Sequence, residues 1–195
     1  MNQKFYYHML RDDHLRSQVW NWWARLQGQD KTDGATASLR GVRAELRRCH
    51  TPDDVLLTEG FRSLWMAVNK EGARPSADMT AWATVAAVLA DVRVNAEKPF
   101  AAALGSENEK TGKPHVSELR FSQLQKSSDS AEFLRRARRS VALLGRSASV
   151  LSLADSVLHW HKEKQGYYPV KPNHRLAVRW ATDYFTELSR YQRTP

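Results

Sequence analysis

Apolar residues in this chain recur every three or four positions, which commits it to packing helices against one another. Leu15, Val19, Trp22 and Leu26 form one stripe, Leu39, Val42 and Leu46 a second, and Phe61, Leu64, Trp65 and Val68 a third. On a helix of about 3.6 residues per turn each set falls on one face. No sustained alternation of apolar and polar side chains marks a half-buried strand. Gly, Pro, Ser, Thr and Asp separate the stripes, so the helices are short and frequently capped.

The punctuation sets the expected elements. Asp12 or Asp13 caps a first helix ending near Gly28, and a second runs from about Gly34 to Cys49. Thr51-Pro52-Asp53-Asp54 restarts the chain as a helix, because Thr caps, Pro suits the first turn and acids suit the dipole. That helix is interrupted near Thr58-Glu59-Gly60. Another spans Ser76 to Val94 and is closed by Lys98-Pro99. Gly105 to Pro114, polar and rich in Lys and Glu, reads as a mobile surface loop. Further helices start at Ser117-Glu118 and run to Lys126, at Asp129 or Ser130 and run to Gly145, and at Ser149 or Ser152 and run to Gln165; after a Gly166–Asn173 loop with two prolines, a last one spans His174–Arg190. The expected fold is all-α: eight to nine helices in two small bundles, 1–104 and 115–195, joined by the 105–114 loop. A chain of 195 residues buries roughly 70% of its surface on folding, so it needs no staple.

Cys49 is the lone cysteine, and no Cys or His cluster has the spacing of a metal site, so a cytoplasmic protein without metal or cofactor is expected. Met1 to Leu15 lacks the apolar core of a secretory signal, and the longest apolar run, Ala81 to Ala90, is too short to cross a bilayer.

The charge balance is the unusual feature. Thirty Lys and Arg stand against twenty-one Asp and Glu, a net charge of +9. Such an excess concerns partners: nucleic acid, an acidic protein or an anionic surface. From Arg40 to Arg48 there are four Arg and one Glu, and from Arg120 to Arg146 six Arg and one Lys against two acids. Arg40, Arg43 and Arg47 make one helical row beside the Leu39–Leu46 stripe. Arg135 and Arg139, with Arg146 further on, make a second ridge away from Leu134, Ala137, Val141 and Leu144. Guanidinium groups match phosphate oxygens bidentately, so such rows can follow a backbone without reading its sequence. A membrane surface fits poorly, because no large exposed apolar face accompanies the basic ones.

Little else suggests chemistry. The tryptophans fall mostly on apolar stripes, although Trp20, Trp22 and Trp23 cannot all face one core, which leaves one of them for a subunit contact. His159 and His161 point to opposite sides of a helix and make no metal pair. Asp155 and His159 share a face that could orient a general base, but no nucleophile motif accompanies them. Phosphate-binding glycine loops and paired carboxylates for a metal nuclease are missing, so the chain is read as non-catalytic.

At Ala44-Glu45-Leu46-Arg47-Arg48-Cys49-His50-Thr51-Pro52-Asp53-Asp54 the chain resembles the A-x-[LI]-R-R-x-x-x-P-[DE]-[DE] segment of the CasB family, the small subunit of the type I-E CRISPR surveillance complex Cascade. Further similarities follow in order. Trp20, Trp23 and Leu26 resemble its aromatic first helix, and Ser117–Leu124 its S-E-x-R-F-x-x-L run. Asp129–Leu144, Leu153–Trp160 and Arg179–Phe185 are similar to its three closing elements. Leu119 stands where some relatives carry Arg, and Gly166–Asn173 looks like an insertion.

The resemblance implies an all-helical, non-catalytic subunit that contacts crRNA and target DNA and helps hold the displaced strand. Its implied partners are the large and backbone subunits and a second copy of itself. By position, Arg47 and Arg48 fall on the family's R-R pair and Arg120 on its R-F motif. Arg40, Arg43, Lys126, Arg135, Arg139 and Arg146 join them as expected nucleic-acid contacts on helix geometry and charge. The rival readings are a basic helical regulator of duplex DNA, an adaptor for an acidic partner, and a small metal-dependent nuclease.

Overall fold

The computed structural model describes residues 7–28, 36–72 and 74–192. Among them are ten α-helices: α1 (Asp13–Leu26), α2 (Thr36–Arg48), α3 (Pro52–Leu56), α4 (Glu59–Val68), α5 (Met79–Leu89), α6 (Phe100–Gly105), α7 (Glu118–Gln125), α8 (Ser130–Leu143), α9 (Val150–Lys164) and α10 (Leu176–Gln192). The fold is all-α, as the periodicity predicts. Its caps are largely the predicted ones. Asp12 accepts from the backbone of His14 and Leu15, and Asp129 from Glu132. Thr51 and Asp54 close a reciprocal box over the start of α3, each accepting from the other's backbone N–H.

The apolar run read as too short for a membrane is the centre of the molecule. Every residue from Ala81 to Ala90 is buried, because α5 is wrapped by α3, α4, α8 and α9. A helix that is apolar all round has no solvent face to offer. It stops at Leu89, short of the expected Val94. Side chains take up the carbonyls beyond it: Arg43 Nε donates to Ala90 O at 2.8 Å, and Trp23 Nε1 and Gln27 Nε2 donate to Val92 O. Val94–Asn95 (β1) instead pairs in parallel with Ser147–Ala148 (β4).

The tenth helix, α6, was not expected. Its sequence Phe100-Ala-Ala-Ala-Leu-Gly has no polar face, and all six residues are buried. It lies against α10, with Phe100 edge-on to Trp180 at 5.8 Å between ring centroids. The segment read as a mobile loop is a hairpin in which Glu107–Asn108 (β2) pairs antiparallel with Lys113–Pro114 (β3). Residues on both sides of this hairpin contribute to one buried cluster.

The amino-terminal strap is fixed by a single carboxylate. Asp155, in the middle of α9 and 2% exposed, accepts backbone N–H bonds from His8, Met9 and Leu10. Among the described residues no helix is long and apolar enough to cross a membrane.

Candidate nucleic-acid interface

The two basic segments meet at Asp91, just beyond the end of α5. Arg47 Nε reaches its Oδ1 at 2.9 Å, Arg146 Nη1 reaches the same oxygen at 3.0 Å, and Arg138 Nε reaches Oδ2 at 3.1 Å. Three guanidiniums share one carboxylate, so the cluster keeps a surplus of positive charge at the surface. Its members differ in access. The Arg47 and Arg146 side chains are 33% and 38% exposed, whereas Arg138 is 16% exposed.

Arg138 is turned inward because it serves as a cap. It donates to the carbonyls of Leu46 and Cys49 at the end of α2 and to Ala87 O in α5. These oxygens have no partner inside their own helices or have a lone pair to spare, and a cation at a helix carboxyl end also suits the dipole. Arg138 was not singled out in the sequence, and neither was Asp91. Their partners lie 44 to 92 residues away, beyond the reach of any local pattern.

The arginine row of α2 divides between solvent and core. Arg40 and Arg48 are exposed and Arg47 is half-buried. Arg43 is 6% exposed; besides its bond to Ala90 O, its Nη2 is buried without an acceptor among the described residues. Burial, followed by the nearby charges of Arg93 and Arg47, draws its pKa down to about 10, so it stays protonated at neutral pH.

On α8, Arg135 and Arg139 are exposed, with Arg135 4.0 Å from Glu132. Arg136 makes the closer contact with Glu132, at 2.8 Å. Arg146 lies beyond the end of α8, so projection on that helix does not apply to it. It follows Gly145 in a left-handed turn with φ +63°. Its carbonyl accepts from the backbone of Arg93 and Val94, which draws exposed Arg93 to the same edge. Arg120 and Lys126 are exposed at the two ends of α7.

Other candidates resolve into structure. Asp155 is occupied by the amino-terminal strap rather than orienting His159. His159 lies 3.2 Å from Glu163 through Nε2 and 3.1 Å from Arg179 through Nδ1. His161 pairs with Thr84 at 3.0 Å in the core. Trp22 and Trp23 are both buried, and Trp20 packs partly exposed beside Trp23. Among the described residues, no group of three His, Cys, Asp or Glu side chains could hold a metal ion.

The sequence matches the family described as CRISPR-associated protein Cse2 over residues 42–185. That span runs from α2 to α10 and contains every residue of the Asp91 cluster. Neither a curated protein nor a solved structure matches the chain significantly.

Proposed function

The chain belongs to the CRISPR-associated Cse2 family, and from that premise we propose that it is the non-catalytic small subunit of a type I-E RNA-guided surveillance complex. In this reading it grips nucleic-acid backbone without reading sequence, stabilising the R-loop and its displaced strand. Its partners are the large and backbone subunits, a second copy of itself, crRNA and target DNA.

The observation that carries the phosphate-gripping role is the Asp91 cluster, where the basic stretches of α2 and α8 meet with more guanidinium than carboxylate. Exposed Arg40, Arg48, Arg135 and Arg139, together with Arg120 and Lys126, supply the phosphate contacts, and half-exposed Arg47 and Arg146 add to them at the cluster. Arg43 contributes as a buried positive charge rather than by touching a strand.

The test is a titration of fluorescent single strands with the full chain over a salt series. Counterion release predicts a linear fall of log affinity with log salt, the same for unrelated sequences. Binding confined to one duplex site would support the regulator instead, and cleavage of the strand with Mg²⁺ or Mn²⁺ would support the nuclease.

A further inference from the structure

A cavity of about 170 Å³ opens between the carboxyl ends of α7 and α9 and the start of α10. Trp160 and Trp180 form its inner walls, and Gln125, Lys164 and Tyr168 stand around it. The two indoles differ. Trp180 Nε1 donates to Ser156 Oγ at 3.1 Å, whereas Trp160 Nε1 is buried and has no acceptor among the described residues. A buried N–H without a partner is rare in a folded protein and calls for an acceptor from elsewhere. The rest of the lining describes that acceptor's owner. Tyr168, 61% exposed, is the exposed aromatic residue of the lining. Lys164 Nζ lies 5.3 Å from the Trp160 ring centroid. Lys126, exposed, directly follows Gln125 on the rim. The one carboxylate present, Glu163, is already occupied by Leu176 N at 2.8 Å and by His159.

We propose that this pocket receives one nucleobase from a single strand. A base stacks on Tyr168 and presents a ring carbonyl to the Trp160 N–H, while Lys126 and Lys164 face its phosphates. The exposed Gly166–Asn173 loop, which carries Tyr168, thereby becomes part of the binding surface. The inference rests on the proposed nucleic-acid role and adds a site away from the Asp91 cluster.

The experiment compares a twelve-residue oligothymidine with an abasic strand of equal length and charge, in low salt, on the full chain and on Tyr168→Ala and Trp160→Phe. Stacking of one base predicts that the wild-type chain binds oligothymidine roughly ten-fold more tightly than the abasic strand. Both variants should lose most of that ratio and keep their affinity for the abasic strand. Thymidine monophosphate as a competitor shows whether the base needs its strand: competition at millimolar concentration and none at micromolar is expected. Equal binding of both strands to the wild type overturns the pocket and leaves the backbone reading intact. A ratio that persists in both variants places the base elsewhere and overturns it equally. Failure of the wild type to bind either strand overturns the nucleic-acid role itself.

Discussion

Arg138 and Asp91 meet at 3.1 Å in the angle between α8 and the end of α5, and through this pair the carboxyl ends of α2 and α5 are held to α8. The pair is mostly shielded from solvent, so breaking it from one side leaves a poorly solvated charge behind. Asp91→Asn should lower stability by about 3 kcal/mol, read as a fall in the thermal midpoint. Arg138→Met should do the same. The double variant should cost clearly less than the sum of the two, because they remove one shared interaction. Additive losses would show that Asp91 and Arg138 act independently.

Arg146 stores backbone strain beside the cluster. Its φ of +63° is unfavourable for any residue with a Cβ, yet the turn is held by its N–H on Val141 O and its carbonyl on Arg93 N. Arg146→Gly and Arg146→Ala both remove the guanidinium from Asp91, but only glycine relieves the turn. The glycine variant should therefore be more stable than the alanine variant by about 1 kcal/mol in denaturant unfolding. Equal stabilities would mean that the turn carries no strain.

Exposure separates the arginines proposed to bind a strand from those that hold the fold. Arg40→Ala with Arg48→Ala should leave the thermal midpoint within a degree or so of wild type and weaken single-strand binding alike for all sequences. If both residues touch phosphates, the slope of log affinity against log salt should flatten by about 1.4. Arg43→Ala should show the reverse balance: a lower midpoint from the vacated site against α5, and little change in slope. A steep loss of salt dependence in Arg43→Ala would put that side chain on the strand.

Much of the scaffold was legible because its causes are local. Asp12, Thr51 and Asp129 cap helices where a short polar side chain precedes an apolar period, and the structure uses all three. The gap at α6 has an equally local cause. A helix buried on every side has no amphipathic period, and six small or apolar residues after Pro99 carry no signal that separates helix from loop. The arginine rows were legible as angles on a helix, but an angle does not say what covers it. Arg43 and Arg47 are four residues apart on α2; the turn of chain after α5 buries the first at Ala90 O and leaves the second half open at Asp91. Asp91 belongs to none of the motifs or rows that the sequence displays.

The buried histidines make the fold sensitive to acid. His8 and His159 stack at 5.3 Å between centroids, and His161 sits under Phe133 and Trp160. Burial first, with Arg179 close by for His8 and His159, lowers each of the three to about 4, against 6.5 in an open chain. Between those values the unfolded chain binds more protons than the folded one. Their contribution is therefore complete above about pH 6.5 and is lost as pH falls toward 4. Thermal midpoints should drop steeply through that window, and His161→Gln should flatten the drop while lowering the midpoint at neutral pH. A midpoint constant from pH 7 to 4.5 would contradict the burial of these rings.

The division of the chain at 105–114 can be tested where α6 meets α10. The carboxyl end of α6 approaches the backbone of α10 so closely that a Cβ on Gly105 would overlap the Tyr184 carbonyl oxygen. Backbone cannot swing aside as a side-chain tip can, so one helix must shift. Next to this contact Phe121 stacks on Tyr184 at 4.1 Å between centroids, and the Tyr184 hydroxyl donates to Val116 O at 2.6 Å. The strain of Gly105→Ala thus falls on a packed aromatic layer. It should cost about 1–3 kcal/mol, well beyond the usual penalty or gain of alanine on a helix. If 1–104 and 115–195 are two bundles, this interface ties them, and the loss should appear as one cooperative transition at a lower midpoint. Two separate transitions, with only the later half displaced, would show that the halves fold independently and that the α6–α10 contact is incidental to the earlier one.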